Sequence, residues 1–362
     1  MSNTISILGA VGIPASYGGF ESLVENLARY HQINKLPGKI VVYCSSKSYP
    51  EQVDSYLGAK LRYIGLNANG ISSIAYDVAS MLSAVYHGSD VILLLGVSGA
   101  IGLPLIRMIS KGRIVTNIDG IEWKREKWKR IARAFLHFSE WLALRFSHNV
   151  VADNAAIAEY VAGTYGVDCH VIAYGGDQGL LTPSRPYEGE TLPARYAFAL
   201  CRIEPENNVG IILEAFAAKP DRPLVFLGNW SKSSYGRELK ALYAGVAHIY
   251  LLDPIYDASI LHCLRKNADM YIHGHSAGGT NPSLVEIMHF GLPVFAFDCI
   301  FNRCTTDSKA IFFKDAAGLR VGIDNIDSNT AAQVGADMLR IAKERYTWEA
   351  VGREYFRLLL GR

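Results

Sequence analysis

Residues Tyr271–Pro293 read YIHGHSAGGTNPSLVEIMHFGLP. An apolar strand at Met270–Ile272 runs into a loop holding Gly274, Gly278 and Gly279. Asn281 or a neighbour then caps a helix that carries Pro282 near its first turn. Strand, glycine-bearing loop and helix start form half of a strand–helix–strand unit, and working outward the same pattern recurs along the chain. Apolar runs at Ile5–Leu8, Ile40–Cys44, Leu61–Ile64, Val91–Leu95, Ile114–Ile118, Val150–Ala152 and Val171–Ala173 alternate with segments of helical length. A second series follows at Tyr196–Leu200, Leu224–Leu227, Ile249–Leu252, Met270–Ile272, Val294–Ala296 and Ile311–Phe313. These runs are rich in Val and Ile and lack strict alternation, as parallel strands covered on both faces do. The pattern predicts an α/β protein of two doubly wound, Rossmann-like domains in tandem.

At 362 residues, half of them apolar, the chain exceeds one ordinary hydrophobic core. Gly175–Leu192, GGDQGLLTPSRPYEGETL, has the composition of a linker or hinge and sets the boundary. The expected domains are residues 1–178, residues 179–344, and an amphipathic helix in residues 345–362 with Trp348, Val351, Tyr355, Phe356 and Leu359 near one face. The 36 Lys and Arg against 34 Asp and Glu leave a formal charge of +2, no case for nucleic acid as a partner. Six scattered cysteines without CxxC spacing argue against a zinc site or a disulfide framework. The uncharged stretch Val91–Ile106 is shorter than the roughly 18–20 residues of a bilayer span and reads as buried strand and loop. The first residues lead directly into a strand with no signal-like segment, so a cytoplasmic location is expected.

Ligands of open α/β sheets lie outside the carboxyl ends of the strands, so the residues after each strand carry the functional reading. After the first strand, GAVGIPASYGGF at Gly9–Phe20 lets the backbone approach an anion closely, or serves only packing. Tyr196–Leu200 delivers Arg202, which can pair with a diphosphate or with Glu204 or Glu206. In the segment quoted first, the helix amides with Thr280 and Ser283 suggest an anion site. Glu286 there either accepts hydrogen bonds from a ribose or complements the helix dipole. His273 and His275 lack the partners of a metal site. His275 suits a hydrogen bond to sugar or phosphate, and His273 suits a satisfied core position. In NIDGIEWKR, Asn117–Arg125, Asp119 and Glu122 either receive an acceptor proton or bind the acceptor, or else make an Asx turn and a helix start. Glu122–Arg133, EWKREKWKRIAR, reads as a basic, Trp-bearing amphipathic helix. Lys124, Arg125, Lys127 and Trp128 would lie toward an anionic membrane surface, the alternative being an ordinary solvated face.

The stretches GIPASYGGFESLVENL, NIDGIEWKR, CRIEPENN, HGHSAGGTNPSLVEIMHFGLPV and FNR resemble the family-four retaining glycosyltransferases of the GT-B fold, and within them bacterial rhamnosyltransferases of polysaccharide assembly. The resemblance runs nearly end to end. It implies that Gly18 and Gly19 approach the donor diphosphate, that Arg202 neutralises it, and that Glu286 binds the nucleotide ribose. It places Asn207, Asn208, His275, Gly278, Gly279, Thr280, Asn281 and Ser283 around the donor. Asp119 falls where many relatives have a catalytic-site histidine. The first acid of the family's Glu-x7-Glu pattern is replaced by Gly278, and the basic residue that commonly follows Pro-Glu is replaced by Asn207. The first change is consistent with an L-6-deoxy sugar. The second shifts leaving-group stabilisation to Arg202, helix amides and Asn208. The implied activity is metal-independent transfer of L-rhamnose from dTDP-L-rhamnose to a lipid-linked saccharide, with retention and no cofactor, at the inner face of the plasma membrane. Alternatives are a hexosyltransferase using a UDP- or GDP-sugar, a nucleotide-sugar 2-epimerase and a non-catalytic sugar-nucleotide-binding protein.

Overall fold

The structure, a computed structural model, describes residues 3–15, 18–125 and 128–361. The chain divides into two compact units, one of Met1–Tyr174 with Trp348–Arg362, the other of Gly175–Thr347.

In the first unit the strands are β1 (Thr4–Leu8), β2 (Lys39–Ser45), β3 (Ser55–Tyr56), β4 (Ala59–Ile64), β5 (Val91–Leu95), β6 (Arg113–Asn117), β7 (Asn149–Ala152) and β8 (His170–Val171). They form one sheet in the order β3-β4-β2-β1-β5-β6-β7-β8, parallel except where the two-residue β3 pairs antiparallel with β4. Every residue of β5, VILLL, is buried, which is why this strand reads as an unbroken apolar run. Val91–Ile106 therefore divides into this strand, a 3-10 turn at Ser98–Gly102 and the start of helix Leu103–Ile109.

The C-terminal helix Trp348–Leu360 belongs to this unit. It buries Val351, Gly352, Tyr355, Phe356 and Leu359, and Phe356 stacks on Tyr30 of helix Gly19–Ile33 with ring centroids 5.8 Å apart. Arg113 closes its end by donating to the carbonyls of Leu358 and Leu359 at 2.8 and 2.7 Å, a cation on the negative pole of the helix.

In the second unit the strands are β9 (Tyr196–Leu200), β10 (Leu224–Leu227), β11 (Ile249–Leu252), β12 (Ala268–His273), β13 (Val294–Phe297) and β14 (Ile311–Phe313), all parallel, in the order β11-β10-β9-β12-β13-β14. Each apolar run read as a strand overlaps one. The unpredicted strand is β3, too short to leave a pattern.

Gly175–Leu192 departs from the expected linker. Its first residues are packed inside the second unit: a Cβ at Gly176 would lie 2.6 Å from the backbone nitrogen of Glu286. The Gly176 amide donates to the Tyr346 carbonyl at 2.7 Å, and Gln178–Leu181 is a helical turn. At Gly176 glycine is required because backbone passes close to backbone, not because the chain is loose.

Both sheets have the doubly wound topology, and each has one place where the winding reverses. In the first unit it lies between β1 and β5; in the second, between β9 and β12. The loops leaving those strands are where such sheets receive ligands.

Candidate functional site

In the second unit the loops after β9 and β12 are joined by hydrogen bonds. Ser276 donates to the Glu206 carbonyl through its amide at 3.0 Å and through its hydroxyl at 2.8 Å. Asn208, in a left-handed conformation at φ 51°, donates from Nδ2 to the Gly274 carbonyl at 2.8 Å. A Cβ at Gly274 would stand 2.1 Å from the Asn207 carbonyl oxygen, so only glycine allows this approach. Arg202 leaves the end of β9 half-exposed, its guanidinium 3.9 Å from Glu204. That contact engages one corner of a group with five donors. Asn207 departs from its expected donor-binding role in one respect: it is buried, and its side-chain nitrogen donates to the Arg202 carbonyl at 2.7 Å. It shapes the turn that presents Arg202.

The helix after β12 is Pro282–Met288. Asn281 caps it, accepting from the Ser283 amide at 3.1 Å and the Ser283 hydroxyl at 2.8 Å. The Leu284 and Val285 amides donate to the Asn281 carbonyl. The Ser283, Leu284 and Val285 amides are thus engaged within the helix start by its Asn cap. Thr280 is buried beside this turn. Gly278, at φ +107°, has among the described residues no atom beyond its chain neighbours within 4 Å of where a Cβ would be. The place of the family's first acid is open space held by a backbone conformation that side chains disfavour.

Glu286 is neither a bare dipole complement nor a free acceptor. One oxygen accepts from Gln178 Nε2 at 2.7 Å, and the other is paired with the guanidinium of Arg265, which is buried. These contacts fix the rotamer of the carboxylate, and an ionised carboxylate retains further lone pairs for a ligand hydroxyl.

His273 ends β12 fully buried. It stacks between Tyr271 and His275, 4.4 Å from the latter ring. Among the described residues neither of its ring nitrogens has a hydrogen-bond partner. It is a core histidine but not a satisfied one, and burial pushes its pKa down to about 3, so it stays neutral. His275 is also buried, and its carbonyl accepts from Asn302 Nδ2 at 2.9 Å, tying the loop to the FNR segment.

In the first unit Gly18, at φ 127°, precedes helix Gly19–Ile33. The loop before it is held by two carboxylates of that helix: Glu21 accepts from the Val11 amide at 2.8 Å and Glu25 from the Ala15 amide at 2.7 Å. Across the reversal point, Ser98 donates to Asp77 at 3.1 Å, and burial raises the Asp77 pKa to about 7. Asp119 has φ 58°, and its amide donates to Asn117 Oδ1 at 2.8 Å. The Asx turn therefore belongs to Asn117, whose Nδ2 in turn donates to Tyr355 Oη at 2.7 Å.

Glu122–Arg133 is not one helix. Glu122–Lys124 is a 3-10 turn and the α-helix begins at Arg130. Glu122 accepts from Arg125 at 2.7 Å and from Trp128 Nε1 at 3.2 Å, so Arg125 and Trp128 close this turn. Lys124 Nζ sits 4.5 Å from the Tyr160 ring centroid, and Lys127 lies outside the described residues. Of the charges expected to form a membrane face, Arg125 is used locally, because the acid three residues before it captures it. Gln178, Arg265, Asp77, Glu21 and Ser276 were not singled out from sequence. A lone acid in an apolar helix, as Asp77 is in Ser72–Tyr86, was the available signal.

Residues 2–177 match a family described as a domain of unknown function, DUF1972. No curated protein matches the chain. Among solved structures it is similar to sucrose-phosphate synthase from Thermosynechococcus elongatus, with TM-score 0.80, 14% identity, and coverage of 99% of this chain and 98% of that one. It is also similar to Anabaena HepE in complex with UDP, with TM-score 0.74, 17% identity and full coverage of both chains. A glycosyltransferase from Rickettsia africae gives TM-score 0.70 at 14% identity, covering 99% of each chain. The chain has the parallel-sheet α/β fold of GT-B glycosyltransferase structures.

Proposed function

We propose that the protein is a metal-independent glycosyltransferase that moves L-rhamnose from dTDP-L-rhamnose to a hydroxyl of a lipid-linked saccharide, with retention, at the inner face of the plasma membrane. The observation that carries this reading is the reversal point of the second sheet, where Arg202, the loop His273–Thr280 and the oriented carboxylate of Glu286 are brought together. Arg202 supplies donors to the departing diphosphate, the charge that develops as the glycosidic bond breaks. Glu286 accepts from the nucleotide sugar ring. Two of its acceptor positions are already taken, and the remaining lone pairs can receive the free hydroxyl of a 2′-deoxyribose. The open space at Gly278, without the acid that would grip a D-hexose, fits a 6-deoxy sugar. No Asp or Glu nucleophile is assigned, so attack on the same face as departure, assisted by the diphosphate, accounts for retention. Asp119 is the first unit's candidate for contacting the acceptor hydroxyl.

A second reading, a UDP-hexose donor, is favoured by HepE having been solved with UDP and glucose. Transfer of isotope-labelled sugar from a panel of nucleotide-sugars separates the two. Turnover of dTDP-rhamnose is expected, with a loss of about 100-fold or more in kcat for Arg202→Ala. Turnover of UDP-glucose with none of dTDP-rhamnose overturns the donor, and an Arg202→Ala enzyme of undiminished kcat overturns the site.

A further inference from the structure

Half of the exposed large apolar side chains of the described chain lie between residues 71 and 141. Helices Leu103–Ile109 and Arg130–Phe146 pack side by side in the first unit. Their outer surface carries Leu105, Met108, Ile131, Phe138 and Trp141, with Met108 83% and Ile131 87% exposed. Phe138 and Trp141 stack on each other in the open, ring centroids 5.8 Å apart. Removing such side chains from water is favourable, and a contiguous exposed set of them marks an interaction surface.

The charges around the patch have one sign. Arg107, Lys111, Lys129 and Arg130 are exposed at its margins. The one acid on these two helices, Glu140, is buried and accepts from the hydroxyls of Tyr160 and Tyr165 at 2.9 and 2.7 Å. A second copy docked symmetrically would set these cations against their own equivalents. An anionic bilayer surface instead meets them with its headgroups while the apolar side chains enter the acyl boundary, and exposed Trp and Phe suit that depth. No described helix is long and apolar enough to cross a membrane.

We propose that the face formed by Leu103–Ile109 and Arg130–Phe146 seats this protein on an anionic lipid surface. The seat is these two helices; in the turn that lies between them in the sequence Arg125 is held by Glu122. The proposal deepens the reading above and rests on its membrane-bound acceptor, not on its donor.

Sedimentation with vesicles, without nucleotide, tests it. The protein should bind phosphatidylcholine vesicles containing phosphatidylglycerol, weaken as salt rises, and bind phosphatidylcholine alone poorly. Met108→Asp with Ile131→Asp, both on exposed side chains, should lower partition by about tenfold or more while leaving the melting temperature unchanged. Arg107→Gln with Lys111→Gln should remove much of the salt dependence. Failure of the wild type to bind anionic vesicles, or undiminished binding by the Asp double variant, overturns the proposal. So does a wild-type dimer in light scattering that the Asp variant dissolves with vesicle binding unaltered. Turnover with a soluble saccharide acceptor separates the readings. If the wild type turns over donor but ignores vesicles, only the seat is lost; if it binds vesicles but transfers nothing, only the catalytic reading is lost.

Discussion

At the scale of single residues, three carboxylates are tied into the loops and helices around the two reversal points. Glu286 is oriented by Arg265 and Gln178, and two more carboxylates, Glu21 and Asp77, anchor the loops at the reversal point of the first sheet. Asp77 gives a sign that can be measured. Its folded pKa, raised to about 7 by burial, exceeds that of an unfolded carboxyl near 3.9, so the folded state holds the extra proton between those values. Stability must therefore fall as pH rises through that window, by at most about 1.4 kcal/mol per pH unit from this residue. Asp77→Asn, which stays neutral, should flatten the slope of urea-unfolding stability between about pH 5 and pH 7. A slope unchanged from the wild type would show that Asp77 titrates normally. The role of Asp77 was hidden in the sequence because desolvation is set by the neighbours that tertiary packing brings. Arg202 and Glu286 were legible, since strand ends and helix starts are local; the Arg265 and Gln178 contacts that orient Glu286 were not, lying 21 and 108 residues away.

At the scale of elements, periodicity revealed nearly everything that packs on both faces. The strand runs fell where their Val and Ile clusters placed them because a parallel strand is specified by burial alone. Glu122–Arg133 misled for the opposite reason: its pattern suited a helix, while the Glu122–Arg125 pair and Trp128 closed a tighter turn. Composition also misled at Gly175–Leu192, where glycine signified contact. The same use of glycine appears in the C-terminal helix, where a Cβ at Gly352 would stand 2.4 Å from Tyr30 Cγ. Gly352→Ala gains about 1 kcal/mol in helix preference. It must also displace a ring already stacked on Phe356, and overpacking of this kind typically costs about 1–3 kcal/mol. The clash should prevail, so thermal melts should show a less stable protein. A stabilised variant would mean that the helix shifts freely over Tyr30.

At the scale of the whole molecule, the second unit is one unbroken segment, whereas the first is made of two. The second has its own sheet and its own core around Phe216, Phe226 and Trp230, and its ends are tied by the Gly176 to Tyr346 hydrogen bond. Residues 175–347 expressed alone should therefore fold cooperatively and bind a nucleoside diphosphate, as measured by calorimetry. A fragment that stays unfolded would show that its core depends on the first unit.

The helix Trp348–Leu360, clamped by Arg113 and holding Asn117 through Tyr355, follows the whole second unit in the sequence. Most of the first unit is synthesised early but cannot close over Tyr30 and Asn117 until the entire second unit has emerged. The order of completion is thus the reverse of the order of translation. The second unit can be finished first, and the first is sealed by a helix translated after it.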